Sequence, residues 1–190
     1  MVRLILASGS PRRKELLKAL GLEFEVLPSR CEEKITAADP AALVTFLAAQ
    51  KAEEVAGRVK EGLVLGADTI VCHAGTILGK PKSKKHAVRM LTMLSGKEHE
   101  VITGVALLDA LTKKSVSDYE STKVFFRDLT SKEIEKYVAT DEPMDKAGAY
   151  AIQGLGSLLV RRIEGCYFNV VGLPLAKVYA LLQKFGVEIL

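Results

Sequence analysis

Hydrophobic and polar positions change period repeatedly along this chain, from short apolar runs to stripes at three- and four-residue spacing. Short apolar runs bounded by turn residues suit buried strands, and the wider spacing suits amphipathic helices. Val2–Ala7 reads as a first strand; Ser10, with Pro11 behind it, then opens a helix that Gly21 stops. Phe24–Leu27 reads as a second strand, and Asp39–Pro40 opens a helix running to about Gly57. Leu63–Cys72 is a long apolar strand, followed by a turn at Ala74–Gly75 and a short strand at Thr76–Leu78. Ser83 caps a helix ending at Ser95–Gly96, and two long strands, Glu100–Leu108 and Val116–Arg127, are joined near Leu111–Lys114. Thr130 with Glu133 makes a capping box for a helix reaching about Ala139. A loop around Pro143, the stretches Ser157–Ile163 and Val170–Val171, and a last helix from Pro174 to Phe185 complete the chain. This alternation predicts an α/β architecture in one compact unit, with a cleft between two lobes.

Composition narrows what such a unit does. Hydrophobic residues make up 48% of the 190, enough for a real core in one domain or two close lobes. A net charge of +4, from 27 basic and 23 acidic residues, is too balanced for a nucleic-acid face and suits a small anionic ligand. Trp is absent, so base-stacking surfaces are poorly supplied. Cys31, Cys72 and Cys166 form no CxxC pair, which points away from a zinc ribbon or a disulfide framework and toward reduced thiols in a cytoplasmic protein. MVRLILASGS is too short an apolar run for a signal peptide, and no 18-residue apolar stretch predicts a membrane span.

Several residues fit poorly with a purely structural role. In VLGADTIV, residues 64–71, Asp68 places a carboxylic acid in the middle of an apolar strand. Burying it as a carboxylate costs several kcal/mol or more unless a cation or donors meet it. Either it reaches water at a strand end or turn, or something charged meets it. Lys51 falls on the apolar stripe of Val44, Leu47, Ala48 and Val55, where it either snorkels or delivers an ammonium to an anion. In ASGSPRR, Arg12, Arg13 and Lys14 occupy a helix's first turn, the wrong end for positive charge, beside the small Ser8, Gly9 and Ser10. Such a turn suits a phosphate, or else the three side chains simply point into water. Lys80 in GKPKS is held extended by Pro81. DKAGAYAIQG surrounds Lys146, Tyr150 and Gln153 with small residues, and the Gln153 amide offers a donor and an acceptor together. His73, His86 and His99 share no ligand spacing. Glu32, Glu33 and Asp68 have the hard oxygen donors that a divalent ion takes, while Arg12, Arg13, Lys51 and Lys80 have the charge to neutralise a polyphosphate.

ASGSPRRKELL, LAAQKAEEV, GADTIV, LGKPKS, SGKEHEVITGVAL, DEPMDKAGAYAIQG and NVVGLPL occur in this order. In these motifs and their spacing the chain resembles the Maf nucleotide pyrophosphatases, also described as septum-formation inhibitors, over its whole length, residues 1–190. The resemblance implies an elongated mixed-sheet fold with a central cleft between two lobes, similar to the inosine-triphosphate pyrophosphatases. It implies hydrolysis of a nucleoside triphosphate to the monophosphate and pyrophosphate, with Mg²⁺ or Mn²⁺ and in a homodimer. The family's proton acceptor falls on Asp68, which is equally placed to be a metal ligand with Glu33. Positions tied to nucleotide choice fall on Arg12, Thr69 and Gln153, a set that looks like the dTTP- and UTP-acting branch. SPWRR, SDQ and SEG, which mark the 7-methyl-GTP branch, are absent. Ser8, Arg13, Glu33, Lys51, Lys80 and Lys146 match the family's other cleft residues; Glu33, Lys51 and Lys80 are taken as catalytic with Asp68, and Ser8, Arg13 and Lys146, with Ser10 of the same turn, as phosphate-binding. The acidic segment reads CEEKI where many members read DIDE, so Glu33 is the aligned acid. Rival readings are a regulator of cell division that binds nucleotide without turnover, and a 7-methyl-GTP pyrophosphatase.

Overall fold

A computed structural model describes residues 2–31 and 39–190. Strands β1 (Leu4–Leu6), β2 (Phe24–Val26), β3 (Leu63–His73), β4 (Thr76–Leu78), β5 (Glu98–Asp109), β6 (Ser115–Phe126) and β7 (Val160–Glu164) form one sheet. Its order is β2-β1-β3-β5-β6-β7, with β4 added to β3. β1 runs parallel to both β2 and β3, whereas β3 pairs antiparallel with β4 and β6 with β7. The sheet is therefore mixed and the fold is α/β, as predicted. β1 is buried at every position, which accounts for its unbroken apolar run.

The helices are α1 (Pro11–Ala19), α2 (Pro40–Ala56), α3 (Lys84–Leu94), α4 (Ser131–Ala139), α5 (Tyr167–Val171) and α6 (Leu175–Gln183). Their starts follow the capping chemistry closely. Asp39 accepts the Ala42 N–H, Ser83 accepts the His86 N–H, and Thr130 and Glu133 make both bonds of the capping box. Ser10 is the exception: it occupies the N-cap of α1, but its side chain makes no capping bond. The loop expected around Pro143 is instead a run of short 3-10 turns at Glu142–Asp145 and Ala147–Ala149, with a third at Gly154–Leu159. That third turn takes up the start of the predicted 157–163 stretch, and Val170–Val171 belongs to α5.

Contacts divide the chain into two units. One comprises the residues up to Asp68, Thr103–Glu120 and Gly172–Leu190; the other comprises Thr69–Ile102 and Ser121–Val171. In the first, Ile5 and Val64 pack with Ala48, Ala52 and Val55 of α2 and with Ala106 and Leu108. In the second, Val71, Leu91, Val101, Val124 and Ile134 pack in one core with Phe126 and Tyr150. There the rings of His99, Phe126 and Tyr150 meet edge to face, and His99 Nε2 lies 2.8 Å from the Tyr150 hydroxyl. Burial pushes the His99 pKa down to about 3 and the Tyr150 hydroxyl up. Among the described residues no helix is long and apolar enough to cross a membrane, and the three cysteines are free.

Candidate active site

Two glycines decide where Lys51 and Asp68 go. A Cβ on Gly66 of β3 would collide with the Ala48 carbonyl and come within 2.9 Å of the Ala52 amide. A Cβ on Gly104 of β5 would collide with the Val44 carbonyl and lie 2.6 Å from the Thr45 amide. Helix α2 thus lies directly on the backbone of both strands, with small Ala48 and Ala52 completing the seam. From this seat Lys51 Nζ reaches Asp68 Oδ1 at 2.5 Å, with the two side chains only 12% and 8% exposed. The acid in the apolar strand therefore has its counter-charge from the chain itself, and the lysine on the apolar stripe is held in place rather than snorkelling.

The turn between β1 and α1 is also more occupied than its sequence suggests. Ser8 is buried, and its Oγ accepts the Ser10 N–H at 3.3 Å and Arg13 Nη1 at 3.1 Å. The Ser10 N–H of the turn thought to suit a phosphate is therefore engaged, because the Ser8 hydroxyl folds back over it. Arg13 also donates from Nη1 to the Ala67 carbonyl at 2.9 Å and from Nε to the Gly172 carbonyl at 2.8 Å. Its guanidinium ties three chain segments together just before Asp68. Nothing among the described residues bonds the half-buried Arg12 guanidinium, so the two neighbouring arginines have different situations.

In the second unit, Thr69 is half-buried on β3, while Lys80 and Gln153 are exposed and unbonded among the described residues. Lys80 sits on a loop tied down by the Gly148 N–H, which donates to the Gly79 carbonyl at 3.1 Å. Lys146 is 12% exposed and donates to the Glu142 carbonyl at 2.8 Å and to Asp145 Oδ1 at 2.6 Å. Glu33, named as catalytic residue and metal ligand, and its neighbour Glu32 lie outside the described residues. Among those described, no group of three His, Cys, Asp or Glu side chains stands ready for a metal.

Sequence reasoning passed over Glu142. Its carboxylate accepts the N–H groups of Leu155 at 3.2 Å and Gly156 at 3.0 Å, and the Tyr137 hydroxyl at 3.0 Å. No local pattern announces bonds that span thirteen and fourteen residues. The Lys51–Asp68 pairing had a signal in the two opposite charges, each set in an otherwise apolar element and each calling for a counter-charge.

Comparison with known proteins agrees with the motif pattern. The family model described as Maf-like protein matches residues 3–185. A dTTP/UTP pyrophosphatase of Moorella thermoacetica is 54% identical over 190 residues, covering 100% of this chain and 98% of its own. Another, from Carboxydothermus hydrogenoformans, is 50% identical over 185 residues, 97% of this chain and 100% of its own. A crystal structure of a nucleoside-triphosphatase / dITP/XTP pyrophosphatase from Mycobacterium abscessus covers 67% of this chain and 75% of its own. It does so at 13% identity and a TM-score of 0.42, too slight a likeness to carry an argument. By the family model and by relatives at half identity over nearly their full length, the chain belongs to the Maf-like protein family.

Proposed function

We propose that this chain hydrolyses dTTP and UTP to the nucleoside monophosphate and pyrophosphate. What carries the reading is full-length identity of 50–54% to relatives that bear the name dTTP/UTP pyrophosphatase. The buried Lys51–Asp68 pair supports the chemistry, since an apolar strand gains nothing structural from an acid that needs a lysine to neutralise it. In the proposed mechanism Asp68 takes a proton from the attacking water while the α–β phosphoanhydride bond breaks. Lys51 holds that carboxylate in one orientation. Lys80, exposed and unengaged among the described residues, neutralises charge on the departing pyrophosphate. Ser8, Ser10, Arg13 and Lys146 shape the phosphate-facing backbone; the partners seen for Ser8, Arg13 and Lys146 support a role in fixing it. Arg12, Thr69 and Gln153 are assigned to nucleotide choice. Uracil and thymine offer two carbonyls and an N–H, which an amide can match.

Asp68 carries the hard carboxylate oxygen that Mg²⁺ or Mn²⁺ prefers, and its donor chemistry fits such an ion, with Glu33 as the second acid. When bound, the ion would offset triphosphate charge.

The test is pyrophosphate release from UTP, dTTP, CTP and 7-methyl-GTP, with and without Mn²⁺. Turnover of UTP and dTTP well above the other two is the expected result. Preference for 7-methyl-GTP would reassign the substrate, and binding of UTP without turnover would favour a regulator.

A further inference from the structure

The segment 141–156 departs from ordinary backbone geometry more than any other part of the described chain. Asp141, Gly148, Ala149 and Gly154 all have φ between 60° and 67°. Two of these are not glycine, and such conformations persist only where the surroundings over-determine them. Here they do. The Ala151 N–H donates to the Tyr137 hydroxyl at 3.3 Å, and that hydroxyl donates to Glu142 Oε1 at 3.0 Å. The same oxygen accepts the Gly156 N–H, and Oε2 accepts the Leu155 N–H. Lys146 Nζ meanwhile holds the Glu142 carbonyl. The chain is thus fastened on both sides of residue 153, at Ala151 before it and at Leu155 and Gly156 after it.

Glycines make this fastening possible. A Cβ on Gly154 would lie 3.0 Å from Glu142 Oε2, and one on Gly156 would lie 2.7 Å from the Tyr137 hydroxyl. The Glu142 carboxylate therefore sits flush against the loop. What the loop presents is Gln153: exposed, in extended conformation at φ −100° and ψ 166°, with no side-chain capping bond. A rigid mount under an unengaged amide is an unusual use of a carboxylate and two strained residues.

We infer that Glu142 is a positioning residue for Gln153, fixing where its amide stands so that one pyrimidine edge is preferred over another. This rests on the reading that Gln153 meets the base. Charge-assisted bonds to two successive backbone N–H groups hold the loop more firmly than neutral acceptors would. Glu142 itself needs no contact with the nucleotide.

The experiment compares kcat and KM for UTP and CTP in wild type, Glu142→Gln, Gln153→Ala and the double variant, with thermal melts of each. Glu142→Gln keeps the side-chain shape but leaves one of the two N–H groups without an acceptor. The expected result is a several-fold rise in KM for UTP with kcat within about two-fold, and a matching loss of the UTP-over-CTP preference. In the Gln153→Ala background the Glu142 change should then remove no further preference. If Gln153→Ala abolishes the preference while Glu142→Gln retains it, the positioning role is overturned and the base reading stands. If Gln153→Ala leaves the preference intact, the base reading falls and takes this inference with it. Should Glu142→Gln fail to fold, Tyr137→Phe decides the matter. It removes one donor to the carboxylate and the acceptor of the Ala151 N–H, and the preference should fall in the same direction; an unchanged preference overturns the inference.

Discussion

The Lys51–Asp68 pair and the Gln153 loop are held by opposite means. The pair sits on a long helix and a long strand whose main chains touch, and its two side chains are almost fully buried. The loop belongs to no long element, although its first turns pack on α3 and α4; it takes its shape from side-chain bonds to Glu142 and Tyr137 and from strained backbone, and Gln153, the side chain proposed to read the base, is exposed. The proton transfer proposed at Asp68 demands a fixed distance, which elements supply. The base reading proposed for Gln153 demands a shape that can be altered by few changes, which a loop supplies.

Removing the acid should break the first region most severely. Asp68→Asn is expected to cut UTP turnover by about 10²–10⁴-fold, measured as pyrophosphate release. It also takes the carboxylate away from the buried Lys51 ammonium, and unfolding free energy should fall by about 1–3 kcal/mol. Replacing both partners, Lys51→Met with Asp68→Leu, should restore stability and leave activity lost. If the double variant is as unstable as the single one, the pair matters for something other than charge.

Gly66→Ala attacks the same region without touching a charged group. Overlap with the Ala48 carbonyl should displace α2, costing about 1–3 kcal/mol or more. Activity should fall with stability, and a melt with unchanged Tm would mean that the seam can yield.

The second region should respond to acid through its core. The folded state holds the His99 pKa near 3, against the ordinary 6.5 of the unfolded chain. Between those values the unfolded state binds the extra proton, so stability is full above about pH 6.5 and falls as pH drops toward 3. The slope from this one group approaches about 1.4 kcal/mol per pH unit. Among the described residues buried His99 Nδ1 has no hydrogen-bond partner, so none of them welcomes the proton. Denaturant melts of wild type and His99→Phe from pH 7 to 4 should give a shallower decline in the variant; parallel declines would remove His99 from the account.

Gln153→Glu should be the mildest change. The side chain is exposed, so Tm should hold, while UTP turnover weakens several-fold through a lost base bond worth about 1–3 kcal/mol. Equal UTP rates in wild type and variant would remove Gln153 from base recognition.

What the sequence disclosed follows the range of the forces involved. The caps at Asp39, Ser83 and Thr130 were legible because a side chain and an amide three residues apart settle them. The strands were legible because burial leaves an unbroken apolar run, and Asp68 and Lys51 stood out against that background. Ser10 misled because the hydroxyl of Ser8, two residues earlier, took the amide in the turn. The 3-10 turns after residue 141 were hidden, since bonds reaching from Glu142 to Gly156 have no period and left-handed Ala149 has no residue signature. Motif resemblance named most of the candidate residues; it did not say that, among the described residues, Arg13 and Lys146 would be tied to the chain while Arg12 and Lys80 would not.

The seam between α2 and the sheet has a consequence for how this protein tolerates mutational drift. Ordinary core positions trade one aliphatic side chain for another, and each trade nudges the helix above. Where Gly66 and Gly104 meet the main chain of α2, there is no side chain to trade. The spacing of lysine and aspartate is therefore inherited from peptide geometry alone, insulated from changes in the surrounding apolar residues, and lost in a single step when either glycine is.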